Sequence, residues 1–191
     1  MATLRSLLRR VANALLRPST ATGQQSSRPP VPSEISTVVG AASPGRSGPT
    51  ATTEVDPHRV GGVSLSYNPV VDGDPDPGEI VWTWIPYEER DGRGKDRPVL
   101  VVARTTDQHV VARTTDQHVL AVQLTSKDHS HEGDFVPLGA GPWDSAGRPS
   151  WANLDRVFRV HPAGMRREAA QLPKDRFVVV AAALRSRYGW R

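Results

Sequence analysis

Residues Arg97–Ser126 read RPVLVVARTTDQHVVARTTDQHVLAVQLTS, and inside them the block VVARTTDQH stands twice in succession, at Val101–His109 and Val110–His118. With either copy removed, the remainder RPVLVVARTTDQHVLAVQLTS is two apolar runs around a polar tip, the pattern of a β-hairpin. Its β-branched residues suit pleated, partly buried backbone. A perfect tandem pair of this length is too short for solenoid architecture, whose units run to tens of residues in several copies. The block therefore reads either as a local duplication that lengthens one loop or as an insertion that changes or disables a site at that hairpin.

Moving outward, Ile80–Ile85 (IVWTWI) has the β-branched and aromatic content of a buried strand, and Pro86 ends it. Glu88–Asp96 (EERDGRGKD) is a polar, Gly-rich loop. Arg97–Arg104 is the second strand, Val119–Leu124 the third, Phe135–Leu138 a short fourth, and Ser150–Val160 alternates imperfectly, as a strand with one bulge would. Pro162–Ala170 predicts a short helix. Pro173–Tyr188 predicts an amphipathic helix with Phe177, Val180, Ala181, Leu184 and Tyr188 on one face and Gly189 as its cap. Short strands followed by a terminal helix predict an α+β fold, a small β-barrel with a helix packed over it.

Upstream, Leu4, Leu7, Leu8, Val11 and Leu15 fall on one helical face among Arg5, Arg9, Arg10 and Arg17, and Pro18 stops the pattern. A basic amphipathic helix of this kind suits a membrane surface or a partner, so residues 4–17 are a candidate for such a contact. From Ser19 to about Val55 the chain is Ser, Thr, Gly, Pro, Ala and Gln with few large apolar groups. Such a segment cannot bury enough surface to offset chain entropy, so disorder is expected. The organisation expected is thus a basic helix over residues 1–18, a disordered linker over 19–66 and a folded domain over 67–191.

Charge divides along the same lines. Residues 1–50 carry six arginines against the single acid Glu34, whereas residues 51–191 carry 18 basic against 19 acidic groups. The basic character of the whole therefore belongs mostly to the N-terminal arm. From Gly92 onward, however, 16 Lys and Arg face 10 Asp and Glu, a balance compatible with a polyanionic ligand. The absence of cysteine removes disulfides, thiolate metal sites and Cys nucleophiles. No run of eighteen apolar residues occurs, so no transmembrane helix is expected, and a soluble, cytoplasmic protein is.

Several side chains could carry chemistry. Arg97 opens a strand with its backbone constrained by Pro98; guanidinium holds phosphate through paired hydrogen bonds, although a surface Arg would look the same. Thr125-Ser126-Lys127 sets two hydroxyls and a cation at a strand end, which suits a phosphate or simply terminates the strand. Trp82 and Trp84 share one strand face; either could stack a base or pack in the core. His129 and His131 follow in an exposed loop, where a titrating imidazole could act as acid or base or stay solvated. No third ligand accompanies the two histidines, so no metal site is assigned.

The pieces PGEIVWTWIPYEE, GKDRPVLVVAR, VLAVQLTSKDH, PLGAGPWDSAGRPSWANLDRVFRV and DRFVVVAAALRSRYGWR, in that order from Pro77 to the C-terminus, resemble the MazF/PemK family of toxins from bacterial toxin–antitoxin pairs. The resemblance implies an SH3-like (MazF/PemK/CcdB-like) barrel, a homodimer, and a metal-independent, cofactor-free endoribonuclease acting on single-stranded RNA. It also implies a cognate antitoxin whose disordered tail occupies the RNA groove. In such toxins the Arg opening the second strand and the Thr ending the third carry catalysis, here Arg97 and Thr125. The gating loop corresponds to Glu88–Asp96. Trp84, Lys95, Ser126, Lys127 and His129 are the accompanying candidates for RNA contact. Two other readings stand beside it: a non-catalytic toxin or binding module on the same barrel, of the kind that inhibits gyrase by contact, and a toxin inactivated by the duplication.

Overall fold

The computed structural model describes residues 43–70, 72–105 and 118–191. The helix expected over residues 1–18, its contact through residues 4–17, and residues 19–42 lie outside the described residues. Seven strands form one antiparallel sheet: β1 (Thr53–Val55), β2 (Glu79–Pro86), β3 (Gly94–Thr105), β4 (His118–Thr125), β5 (Phe135–Gly139), β6 (Ser150–Val160) and β7 (Met165–Gln171). Their order is β1-β6-β4-β3-β2-β7, with β5 added beside β6. The sheet curls into a half-barrel, and one helix, α1 (Lys174–Tyr188), packs over it. Among the described residues no helix is long and apolar enough to cross a membrane.

Both faces of the central strands are buried, which explains why β3 and β4 read as apolar runs rather than clean alternations. One face sends Ile80, Leu100, Leu120, Val122 and Leu124 against Phe177, Val180, Ala181 and Leu184 of α1. The other gathers Val81, Ile85, Val99, Val101, Val119, Ala121, Phe158 and Val160 inside the curl. Each such Val, Leu, Ile or Phe side chain contributes roughly 2 kcal/mol by leaving water. The predicted face of α1 is thus the buried one, and Gly189 caps the helix in the left-handed region at φ 69°, where glycine carries no Cβ strain.

The described strands take in the two ends of the duplicated block. β3 takes Val101–Thr105 from the first copy, β4 takes His118 from the second, and the ladder ends on the pair Thr105–His118. Residues 106–117 lie outside the described residues. In a chain with one copy, His109 would stand where His118 stands and three residues would close the hairpin.

The bulge expected in β6 is present. Val157 pairs with Val122, but Asn153 pairs with Gln123, so Leu154–Arg156 are extra residues on β6. Arg156 is buried, and its guanidinium donates to Glu54 Oε1 at 2.9 Å and Oε2 at 3.1 Å, Gln123 Oε1 at 3.1 Å and the Pro86 carbonyl at 2.9 Å.

Two expectations are corrected. The short helix over Pro162–Ala170 is a single 3-10 turn, Pro162–Gly164, followed by strand β7. The stretch MRREAAQ has helix-forming composition, but it covers the open edge of β2 from Glu79 to Thr83 through a ladder with two irregularities. Pairing with a buried strand outweighs a propensity of a few tenths of a kcal/mol per residue. Disorder over residues 19–66 also fails for residues 43–66. β1 pairs with Val157–Arg159 of β6, Thr52 is buried, and Val63 and Leu65 join the core. The backbone at Val63 and Leu65 exchanges hydrogen bonds with Arg191, which ties this segment to the chain end.

Deleting Val110–His118 should leave the fold intact and raise stability by about 1 kcal/mol, the closure entropy of shortening the connection between Thr105 and His118 from twelve residues to three; urea midpoints read it. Arg156→Ala should cost about 3 kcal/mol, because it strands the Glu54 carboxylate in a partly buried position. A midpoint within experimental scatter of the wild type would show that the guanidinium does not hold β1.

Candidate functional site

β2 and β3 stay paired as far as Pro86–Gly94, whereas β3 and β4 begin pairing only at Val99–Gln123. After Thr125 the chain leaves the sheet, so Gly94–Pro98 borders a notch on the side where β4 would otherwise continue. A cleft of about 380 Å³ occupies the notch, within the size range of small-ligand sites. Arg97 stands two residues before Val99 on β3, and Thr125 two residues after Gln123 on β4. Both line the cleft, as do Lys95, Ser126 and Lys127.

Arg97 and Thr125 are half-buried; Lys95, Ser126 and Lys127 are exposed. The Thr125 hydroxyl oxygen accepts from the Lys127 amide at 3.2 Å, which fixes the oxygen and leaves its hydrogen to donate elsewhere. Guanidinium, ammonium and hydroxyl groups around one solvent-open notch can hold an anion and stabilise negative charge developing on it.

The opposite wall comes from the loop between β5 and β6. Trp143 is buried and its Nε1 donates to Ser150 Oγ at 3.0 Å. Gly141 must lack a side chain, since a Cβ there would meet the Trp143 ring at 2.1 Å. Asp144 accepts from the Ala146 amide at 2.8 Å and from Arg148 Nε at 2.9 Å. Burial alone would raise the Asp144 pKa, but the amide and the guanidinium together outweigh it and hold the carboxyl below its ordinary range. Asp128, just past the cleft, is likewise lowered, chiefly by the Ser130 amide, which donates to its Oδ1 at 2.9 Å.

Two of the seven candidate residues are not brought to the cleft. His129 stacks on Phe135, ring centroids 3.7 Å apart, with Nδ1 2.8 Å from Glu132 Oε1. Trp84 stands one register step away, opposite Asp96, while its neighbour Trp82 lines the cleft. The residues that sequence reasoning passed over are Trp143, Asp144 and Arg148. The sequence does carry a signal for them: a lone Trp inside the Gly/Pro-rich stretch 139–149, followed by an Asp and an Arg four apart.

Residues 76–187 match the sequence profile described as PemK-like, MazF-like toxin of type II toxin–antitoxin system. Among solved structures, the chain is similar to a chain of the crystal structure of MazE–MazF (Form-III) from Deinococcus radiodurans, at 20% identity over 61% of this chain and 98% of that one, with a TM-score of 0.43. It is also similar to the Mycobacterium tuberculosis toxin MazF-mt6, at 17% identity over 59% of this chain and 98% of that one, with a TM-score of 0.39. No curated protein sequence matches it. With the profile spanning more than half of its length, the chain belongs to the family of PemK-like, MazF-like toxins of type II toxin–antitoxin systems.

Proposed function

We propose that this toxin is an endoribonuclease that cuts single-stranded RNA by attack of the 2′-hydroxyl on the adjacent phosphate. The observation that supports the reading is that Arg97 and Thr125 both line one open cleft, with Lys95 and Lys127. In the reaction the 2′-oxygen gives its proton to solvent water in the open cleft and bonds phosphorus, the bond to the 5′-oxygen breaks, and that oxygen takes a proton from solvent, so none is consumed overall. The products are a 2′,3′-cyclic phosphate and a 5′-hydroxyl. A guanidinium offers N–H donors and no acceptor, so Arg97 acts as clamp on the pentacoordinate phosphate, donating hydrogen bonds to its oxygens, and not as the base. The Thr125 hydroxyl orients a phosphate oxygen. Side-chain cations supply the positive charge, so the proposal calls for neither metal nor cofactor. A cognate antitoxin covering the cleft, and a homodimer as the working form, complete it.

The duplication favours an active toxin over an inactivated one. Its added residues follow Thr105, eight residues along β3 from Arg97, a span of roughly 26 Å of strand. Length added there leaves the β3–β4 pairs from Val99 to Thr105 between it and the cleft.

Purified protein with a long RNA in EDTA should give site-selective cuts ending in cyclic phosphate. Arg97→Ala should lower the rate by about 10²–10³, the usual effect of removing a group that stabilises the transition-state charge, and Thr125→Ala by less. Intact RNA with the wild type would sink the nuclease reading and leave a toxin that acts by contact. The far wall should show an acid-range signature. A carboxyl whose folded pKa is lowered adds stability above its unfolded value, near 3.9, and loses it as pH falls through the folded one. Asp144→Asn should therefore be less stable than wild type at neutral pH, with the gap closing below about pH 4. Urea midpoints at both pH values decide this, and a gap that persists in acid would count against the Arg148–Asp144 pairing.

A further inference from the structure

Residues 43–52 precede the stretch that matches the family profile, yet they pack at the end of the sheet that holds the cleft. Ser43 Oγ donates to Asp96 Oδ2 at 3.3 Å, and Asp96 lines the cleft. The Arg46 guanidinium lies over the Trp84 ring, 4.9 Å from its centroid. Close backbone approach fixes this strap in place. Gly45 adopts φ +79°, and a Cβ there would sit 2.5 Å from the Gly164 carbonyl oxygen and 2.8 Å from Thr83 Oγ1. The Thr52 amide donates to the Gly45 carbonyl at 2.8 Å, and the Thr52 and Thr83 hydroxyls lie 2.7 Å apart.

A second Arg–Trp contact stands beside the first. Arg166, from β7, lies over Trp82 at 5.7 Å, and its Nε is 3.4 Å from the same Asp96 oxygen. Trp82 and Trp84 project from one face of β2, two residues and so about 7 Å apart. Asp96 joins the two arrangements, receiving Ser43 from the strap and Arg166 from β7. Arg46 is exposed, so its charge faces solvent rather than core. A guanidinium held over an indole keeps its charge and its N–H donors while losing conformational freedom.

We propose that the strap, through Arg46 held over Trp84, forms a second subsite that takes the phosphodiester of a nucleotide flanking the one cut at Arg97 and Thr125. The subsite rests on the endoribonuclease reading and extends its groove along the half-buried Trp82–Trp84 face of β2. It also gives Trp84 a part in RNA contact outside the cleft itself, as platform for the cation.

The test uses the full chain and a fluorescent single-stranded RNA of mixed sequence, 2′-O-methylated so that it lacks the nucleophile. Anisotropy titrations in EDTA over a series of salt concentrations should show Arg46→Ala binding roughly fivefold more weakly. Its slope of log affinity against log salt should be shallower by about 0.7, the value for one phosphate contact on a single strand. Arg46→Lys should keep the wild-type slope. On cleavable RNA, Arg46→Ala should raise KM with kcat held within about twofold, the pattern of lost ground-state binding. Unchanged affinity and slope in Arg46→Ala, or tighter binding, would overturn the subsite. A wild-type protein that binds RNA but leaves cleavable RNA intact sinks the nuclease reading alone, and the slope still decides the subsite. A wild-type protein that does not bind RNA overturns both.

Discussion

The curl of the sheet depends on where the Arg156 guanidinium finds its oxygens. Glu54 belongs to β1, Gln123 to β4 and the Pro86 carbonyl to the end of β2, so one side chain on β6 links three other strands. It reaches them because Leu154–Arg156 are extra residues relative to β4. A bulge bends its strand and re-aims its side chains, and here it turns a cation into the partly buried end of the curl. Without oxygens on several sides a buried guanidinium would be strongly unfavourable. The carboxylate of Glu54 is the partner that matters most, and it lies upstream of the family-matched residues. The upstream segment is thus part of the folded unit in an energetic sense, through a charge it must neutralise.

From that closure follows the shape of the working end. β6 pairs with β4 as far as Thr125–Trp151, and β2 pairs with β3 as far as Pro86–Gly94. Between these two ladders β4 has ended and β3 continues, which opens the notch. Strand backbone left without a neighbour is normally a liability. Here the loop carrying Trp143 and the basic side chains of Lys95 and Lys127 border it, so the gap is a bounded cleft rather than a free edge. The opposite ends of β3 and β4 carry the duplicated block. A paired ladder holds register between the two ends, so length added at one need not move residues at the other.

Much of this was legible in the residues. Ile80–Ile85, Val99–Ala103 and Val119–Leu124 read as strands because they are buried on both faces, which leaves near-continuous apolar runs. The helical face of Phe177, Val180, Ala181 and Leu184 read correctly for the same reason: its spacing records one buried side. Thr125 was legible as a strand-end group, but Arg97 is not one: β3 begins at Gly94, so the last three residues of the expected Glu88–Asp96 loop are strand. What escaped was structure held by contacts rather than by composition. β7 has the residues of a helix and is a strand because β2 needed a neighbour. The strap at residues 43–52 is Ser, Pro, Gly and Thr apart from Arg46 and Ala51, held by glycine close approach and hydroxyl pairing that no apolar pattern announces. His129 was placed by its proximity in sequence to Thr125, but a three-residue excursion lets it stack on Phe135 instead.

The acids near the cleft show how a basic surface can be shaped as well as filled. Asp144 is spoken for by Arg148, and Asp96 by Ser43 and Arg166, so both carboxylates act on neighbouring protein groups. Each holds an arginine in a set position: Arg148 on the far wall, Arg166 over Trp82. An arginine on a free surface loses up to about 2 kcal/mol of rotamer entropy when it grips a ligand. One already braced against a carboxylate or an indole has met much of that cost during folding. A polyanion would then meet cations fixed at intervals along β2 and the notch, and affinity would come from preorganisation as well as net charge. The carboxylates lower the total positive charge of the surface and sharpen where the remainder sits.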